Sequence, residues 1–232
     1  MGNNPDPRFR IPRLWSNKEL RKVAHLFSGD IANVSGGDDV DKEGLHYRDY
    51  FTEARSYTVT NYGGASFRGF QNRPQEVMLD LTQTLPDDLR RKFDVVFNHT
   101  TLEHIFDAFT AFHNICEMSR DIVIIVVPFC QTQHEGEGYL DYWRFTPTCV
   151  RKMFEKENID VVYENANTIN ESSIYLFYVG TRRYEYWKQQ MPNSYPLVNI
   201  GEWIGKNSKP HGYNLLFRCI NKMSSFFYGD KK

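Results

Sequence analysis

The stretch "FDVVFNHTTLEHIFDAFTAFHNICEMSRDIVIIVVPFC", residues 93–130, decides how the chain is read. Its first part, FDVVFN, is apolar and rich in β-branched and aromatic residues, which predicts a strand. The next part, TTLEHIFDAFTAFHNICEM, sets Leu102, Ile105, Phe106, Phe109, Phe112 and Ile115 at helical spacing, so one long helix is expected. The last part, DIVIIVVPF, is apolar on successive residues, the pattern of a strand covered on both faces. A strand, a helix and a doubly covered strand in succession are the unit of a parallel sheet packed between helices.

The same alternation extends outward. SNKELRKVAHLF, residues 16–27, predicts a helix with Ser16 and Glu19 at capping-box spacing. DIANV ends at Ser35-Gly36-Gly37, SYTVTN at Tyr62-Gly63-Gly64, and EVMLDL precedes a polar stretch stopped by Pro86. TPTCVRKMFEKEN opens with Thr146 as a cap and Pro147 at the first helical position. IDVVYEN and SIYLFYVG read as a final hairpin. In such sheets ligands bind beyond the carboxyl ends of the strands. The segments to inspect are therefore Ser35–Asp39, Asn61–Gly64, Asp80–Leu81, Asn98–Thr101 and Pro128–Arg144.

A chain of 232 residues fits one α/β domain with extensions, and 25% charged with 15% aromatic residues argues against disorder over most of it. A formal net charge of −1 indicates no general attraction to nucleic acid. Cys116, Cys130, Cys149 and Cys219 form no CxxC pair, so neither a disulfide framework nor a zinc site is expected. Cys116, Cys130 and Cys149 read as small hydrophobes. No apolar core of signal-peptide length and no membrane-spanning segment is seen, and Asp6 weakens any myristoylation signal, so a cytoplasmic protein is expected. From Thr181 onward the alternation stops. There Leu215, Leu216, Ile220, Met223 and Phe227 approximate one helical face, for packing on the domain or on a second subunit.

The segments FDVVFNHTTLEHIFDAFTAFHNICEM, DIVIIVVPF and HEGEGYLDYWRFTP together resemble the second half of a class I S-adenosylmethionine-dependent methyltransferase, closest to the small-molecule, glycan-associated members with LEH and DYWRFTP-like motifs. The resemblance spans residues 25–180, with 1–24 as lead-in and helix and 181–232 as a carboxy-terminal, aromatic-rich extension. It implies a Rossmann-like, doubly wound, mostly parallel seven-stranded sheet with an antiparallel last strand. It also implies S-adenosylmethionine as cofactor and methyl transfer to an oxygen of a small molecule, such as a sugar or glycan precursor. Carried over, the cofactor residues are Gly36 and Gly37, then Asn61, then Asp80 with Leu81, with Asn98 and His99 at the methionine end. The chain departs from the family at Asn33, where an acid is usual, and at Asn61, where the ribose acid is usual. Asp38 or Asp39 is then the candidate substitute carboxylate. A nicotinamide dehydrogenase is disfavoured, because no GxGxxG follows the first strand.

His134 is the candidate general base, since a neutral imidazole takes a proton near pH 7. Tyr142, Arg144 and His104 are candidate acceptor-binding residues, and Trp143 is expected in the pocket wall. The plainer alternatives are that Arg144 pairs with Asp141, Asp80 caps a turn and Glu103 merely favours a helix start. No metal-binding group is expected. The rival reading is a catalytically inactive relative that binds a partner or glycan, with the extension as an oligomer contact.

Overall fold

Parallel strands end on one edge of a sheet, and here they assemble the segments singled out above. The computed structural model describes residues 7–64, 69–136, 138–167 and 173–194. Its strands are β1 (Ser28–Val34), β2 (Glu53–Asn61), β3 (Glu76–Met78), β4 (Phe93–His99), β5 (Ser119–Cys130), β6 (Asp160–Ala166) and β7 (Ile174–Thr181). They form one seven-stranded sheet in the order β3-β2-β1-β4-β5-β7-β6. β1 to β5 are mutually parallel, and β7 runs antiparallel to both β5 and β6. Strand order reverses between β1 and β4, which makes the crevice at their carboxyl ends the switch point of the sheet.

The doubly apolar pattern of β5 has the expected cause. Val123, Ile125 and Val127 join one core with helices α2 (Ala108–Met118) and α3 (Pro147–Lys156). Ile122, Ile124 and Val126 join the other, with α1 (Pro7–Val23) and the aromatic residues Tyr47, Tyr50 and Phe51. β7 divides likewise, Leu176 and Tyr178 facing one core and Phe177 and Val179 the other. The short α4 (Tyr184–Trp187) is tied to β5 by Asp121, which accepts from Thr181 Oγ1 at 2.6 Å, Arg183 Nε at 2.7 Å and Trp187 Nε1 at 2.8 Å.

Four expectations change. α1 starts at Pro7, so Ser16 is not a cap but lies inside the helix, buried and facing the sheet. The long helix after β4 is only α2: Leu102–His104 forms a 3-10 turn, and Asp107 caps the helix by accepting from Thr110 N at 3.2 Å. Phe106 and Phe109 consequently point outward. EVMLDL is a strand only over Glu76–Met78. Among the described residues the β1–β2, β2–β3 and β3–β4 connections contain no α-helix, only the 3-10 turns Tyr47–Tyr50 and Asp87–Leu89. Side-chain bonds organise the first of them instead. Asp39 accepts from Tyr57 Oη at 2.7 Å and Asn33 Nδ2 at 2.8 Å, and Asp41 accepts from the backbone of Glu43 and Leu45 and from Tyr50 Oη.

Thr146 and Pro147 start α3 as expected, Thr146 Oγ1 accepting from Cys149 N at 3.2 Å. Cys116 is buried, whereas Cys130 is exposed and does not pack as a small hydrophobe. No helix among the described residues is long and apolar enough to cross a membrane. The expectations for residues 1–6, for Cys219 and for the apolar face between 215 and 227 lie outside the described residues.

Candidate functional site

The glycine turn after β1 is built on alternating left-handed residues, Ser35, Gly37 and Asp39. Gly36 is required by proximity, since a Cβ there would sit 2.5 Å from Asn33 Nδ2. Asn33 is held in turn by Asp39, whose Oδ1 accepts from Asn33 Nδ2 at 2.8 Å. Gly37 has φ +59°, and a Cβ there would meet nothing within 4 Å. Gly36→Ala is therefore expected to cost about 1–3 kcal/mol through overpacking. Gly37→Ala should cost about 1 kcal/mol, from the left-handed backbone alone. Urea midpoints measure both.

Asn61 ends β2 but does not face open space. Its Oδ1 accepts from Gly37 N at 2.8 Å, and its Nδ2 donates to Gly37 O at 3.0 Å and Glu76 Oε1 at 2.6 Å. Asn61 is a clamp on the glycine turn, and while it holds that turn its amide has no donor left for a ribose. Arg73 braces the same turn from outside, donating to Gly37 O at 3.2 Å and Asp38 Oδ1 at 2.5 Å. Asp80 accepts from Thr82 N and Thr82 Oγ1, the turn-capping alternative, and Leu81 is buried in the core.

At the switch point, Asn98 Nδ2 donates to Val34 O at 2.9 Å and joins the ends of β4 and β1. Its Oδ1 is buried and has no hydrogen-bond partner among the described residues. His99 turns its ring toward α1. Ser16 Oγ gives its proton to Arg13 O at 2.9 Å, so its 2.7 Å contact with His99 Nε2 makes that nitrogen the donor. Nδ1 then accepts from Arg13 NH1 at 3.3 Å and Thr100 Oγ1 at 3.0 Å. Burial holds the imidazole pKa well below its usual range, so His99 stays neutral.

Arg13 was not among the residues picked out by sequence. Its half-buried guanidinium sits near Tyr47, Tyr175 and Glu103, and no carboxylate among the described residues pairs with it within salt-bridge distance. Nothing local in RIPRLW marks it, because only the packing of α1 on the ends of β4 and β7 brings it there. Glu103 is also more than a helix-start residue. Its side chain is buried, Oε2 has no hydrogen-bond partner among the described residues, and burial raises its carboxyl to about 7. The backbone nearby is better satisfied, since Glu103 O accepts from Tyr142 N at 2.8 Å and Trp143 N at 3.2 Å.

Below the unfolded value of 4.5 both states carry the Glu103 proton and stability is undiminished. Between 4.5 and about 7 the folded state binds more protons than the unfolded one, so stability falls as pH rises. Glu103→Gln is expected to remove this loss. It should gain about 2–3 kcal/mol relative to the parent at pH 8 and almost nothing at pH 4, as read from chemical denaturation at both pH values.

The loop after β5 brings the remaining candidates together. His134 and His104 stack edge to face at 4.8 Å, and His104 packs on Tyr139 at 4.9 Å. His104 Nδ1 donates to Leu140 O at 2.7 Å. Burial lowers both imidazole pKa values, which leaves the rings neutral near pH 7. Asp141 Oδ2 accepts from His134 N at 2.9 Å and lies 3.4 Å from His134 Nδ1. Burial alone would raise Asp141, but Arg144 and these hydrogen bonds bring it down to about 2.

Arg144 corrects an expectation. NH1 and NH2 each donate to Asp141 at 2.6 Å, and further bonds reach Trp143 O, Thr132 O and Gln131 O. It staples the loop, as the Asp141-pairing alternative had it, and has no donors left for an acceptor. Trp143 packs partly buried against the core, its Nε1 donating to Ile105 O and Phe106 O at 3.0 Å. Tyr142 is exposed against the edge of Phe106. Shallow concavities of about 270 and 250 Å³ lie along residues 45–57, away from these strand ends.

No protein-family model matches the chain, and no curated relative matches it. Solved structures do. Magnesium protoporphyrin IX methyltransferase from Synechocystis PCC 6803, solved with bound S-adenosylmethionine, is similar at a TM-score of 0.55 and 11% identity, over 78% of this chain and 85% of that one. A SAM-dependent methyltransferase from Methanosarcina mazei is similar at 0.50 and 8% identity, over 66% and 92%. The sheet order, the antiparallel β7 and these likenesses agree: this chain has the Rossmann-like fold of the class I S-adenosylmethionine-dependent methyltransferases.

Proposed function

We propose that the protein transfers a methyl group from S-adenosylmethionine to an oxygen of a small molecule, a sugar or glycan precursor. One observation carries the cofactor assignment. Beyond the end of β4, Asn98 Oδ1 and Glu103 Oε2 are buried acceptors with no partner among the described residues, and Arg13, a cation with no carboxylate partner among them, lies near Glu103. An unpaired buried acceptor costs about 1–3 kcal/mol unless a ligand satisfies it. A zwitterionic amino-acid moiety matches this set, with its ammonium toward Asn98 and Glu103 and its carboxylate toward Arg13. The open approach over Gly37 suits the adenosyl part. Asp38 is exposed and held only by a surface pair with Arg73, so it is the carboxylate at hand for the ribose.

When bound, the cofactor supplies an already activated methyl group. The chain's own task is to orient the acceptor, exclude water and take one proton. His134 is neutral near pH 7, and Asp141 stands 3.4 Å from Nδ1 to stabilise the imidazolium it becomes. Tyr142 offers an exposed ring for a sugar face.

The rival, a methyltransferase-like binding protein without cofactor, is favoured by the Asn61 clamp on Gly37. Calorimetric titration with S-adenosylmethionine separates the two. Saturable binding that raises the unfolding temperature supports the enzyme reading. No heat and no thermal shift at millimolar cofactor would leave only the rival.

A further inference from the structure

The loop after β5 meets the start of α2 in an apolar surface that neither the core nor proton transfer explains. Phe106 is 72% exposed, Phe109 52%, Leu140 50% and Tyr142 43%. Rings touch across it: Phe106 packs on Tyr142 at 5.4 Å, and Trp143 lies 6.1 Å from Phe109. The surface is held in place. Trp143 Nε1 bonds the carbonyls of Ile105 and Phe106, and the backbone of Tyr142 and Trp143 bonds Glu103 O. At its inner end it runs into the ring cluster of His104, His134 and Tyr139, joined through the His104–Leu140 hydrogen bond.

We infer that this aromatic shelf binds the apolar portion of an amphipathic acceptor whose hydroxyl-bearing head lies at His134. The inference rests on the methyl-transfer reading. It adds the chemical class of the acceptor, a polar head joined to an alkyl or aromatic group. Shelf size favours a small ligand over a protein. A stable protein interface takes roughly 20–30 residues a side, whereas this surface is a handful of side chains ending at the polar cluster. Isolated apolar residues on a surface need no explanation, but a fixed and contiguous set bordering a proton-transfer cluster does.

The probes are octyl β-glucoside, below its micellar concentration, and methyl β-glucoside, titrated calorimetrically against the full chain and a Phe106→Ser/Phe109→Ser variant. Both residues are exposed, so the variant should keep the parent's unfolding temperature. The octyl compound is expected to bind the parent at least tenfold tighter than the methyl compound, with that margin lost in the variant. An unchanged margin in the variant, or no octyl binding to the parent, overturns the inference. So does a parent that is dimeric by light scattering and becomes monomeric in the variant, because the shelf would then join two copies. Cofactor stabilisation is measured in parallel on both proteins. If it is absent from both while the octyl margin disappears on substitution, the apolar-ligand site stands and the methyl-transfer reading falls.

Discussion

Replacing His134 by alanine is expected to lower methyl-transfer turnover by about 10²–10⁴-fold, the usual contribution of a positioned acid or base. Cofactor affinity should change less than about twofold, since the proposed role of His134 is proton removal from the acceptor and not cofactor binding. The assay uses tritiated S-adenosylmethionine with an acceptor found by screening nucleotide sugars and glycans. Burial lowers the His134 pKa, so its neutral, proton-accepting form persists below pH 6.5. The parent's turnover should fall only as acid protonates the ring below that pH, and the alanine variant should lack this acid limb. An unaltered turnover, or an unaltered limb, would remove His134 from the chemistry. Loss of loop structure is the competing explanation for a fall. The loop is closed by Arg144 and Asp141, which the substitution leaves intact, so the circular dichroism spectrum and unfolding temperature should be preserved.

The second large effect concerns Arg13. Arg13→Gln is expected to weaken S-adenosylmethionine binding by about 10–150-fold, the worth of a charge-assisted hydrogen bond of about 1.5–3 kcal/mol. Binding of 5′-methylthioadenosine, which has neither carboxylate nor ammonium, should be almost unaffected. Parallel calorimetric titrations check both. A uniform loss for both compounds would mean that Arg13 only holds α1 against the sheet through His99. Equal binding of both compounds to the parent would remove the amino-acid moiety from the crevice altogether. The Glu103 carboxyl adds a signature of its own. It sits near 7 in the free protein, and an ammonium brought beside it favours its ionised form, so binding near neutral pH should release a proton. Titrations in buffers of different ionisation enthalpy detect that release.

The helices expected between the first four strands were not there among the described residues, whereas the succession of strands, the double burial of β5, the closing hairpin and the Thr146–Pro147 helix start were legible in the chain. Each depends on local periodicity or on turn chemistry within a few residues. The glycine turn was legible too, because Gly36 and Gly37 follow a short apolar run directly. Less legible was the purpose of the residues around it. Whether Asn61 reaches out to a ligand or back to Gly37 depends on a partner twenty-four positions away.

The loop shows the same division. Its aromatic content raised the expectation of recognition, and Arg144 read either as an acceptor-binding cation or as a partner of Asp141. Its saturation by Asp141 and by backbone carbonyls of its own loop follows from the loop's path, which side-chain alternation does not reveal.

By itself, then, the sequence determined the strands of the sheet and its two covered faces, because burial patterns repeat along the chain with the period of each element. Only the tertiary structure decided that Arg13 lies beside His99 and near Glu103, and that His134 stands beside Asp141. Hydrogen bonding and charge pairing depend on distances between residues far apart in sequence, and no periodicity records those distances.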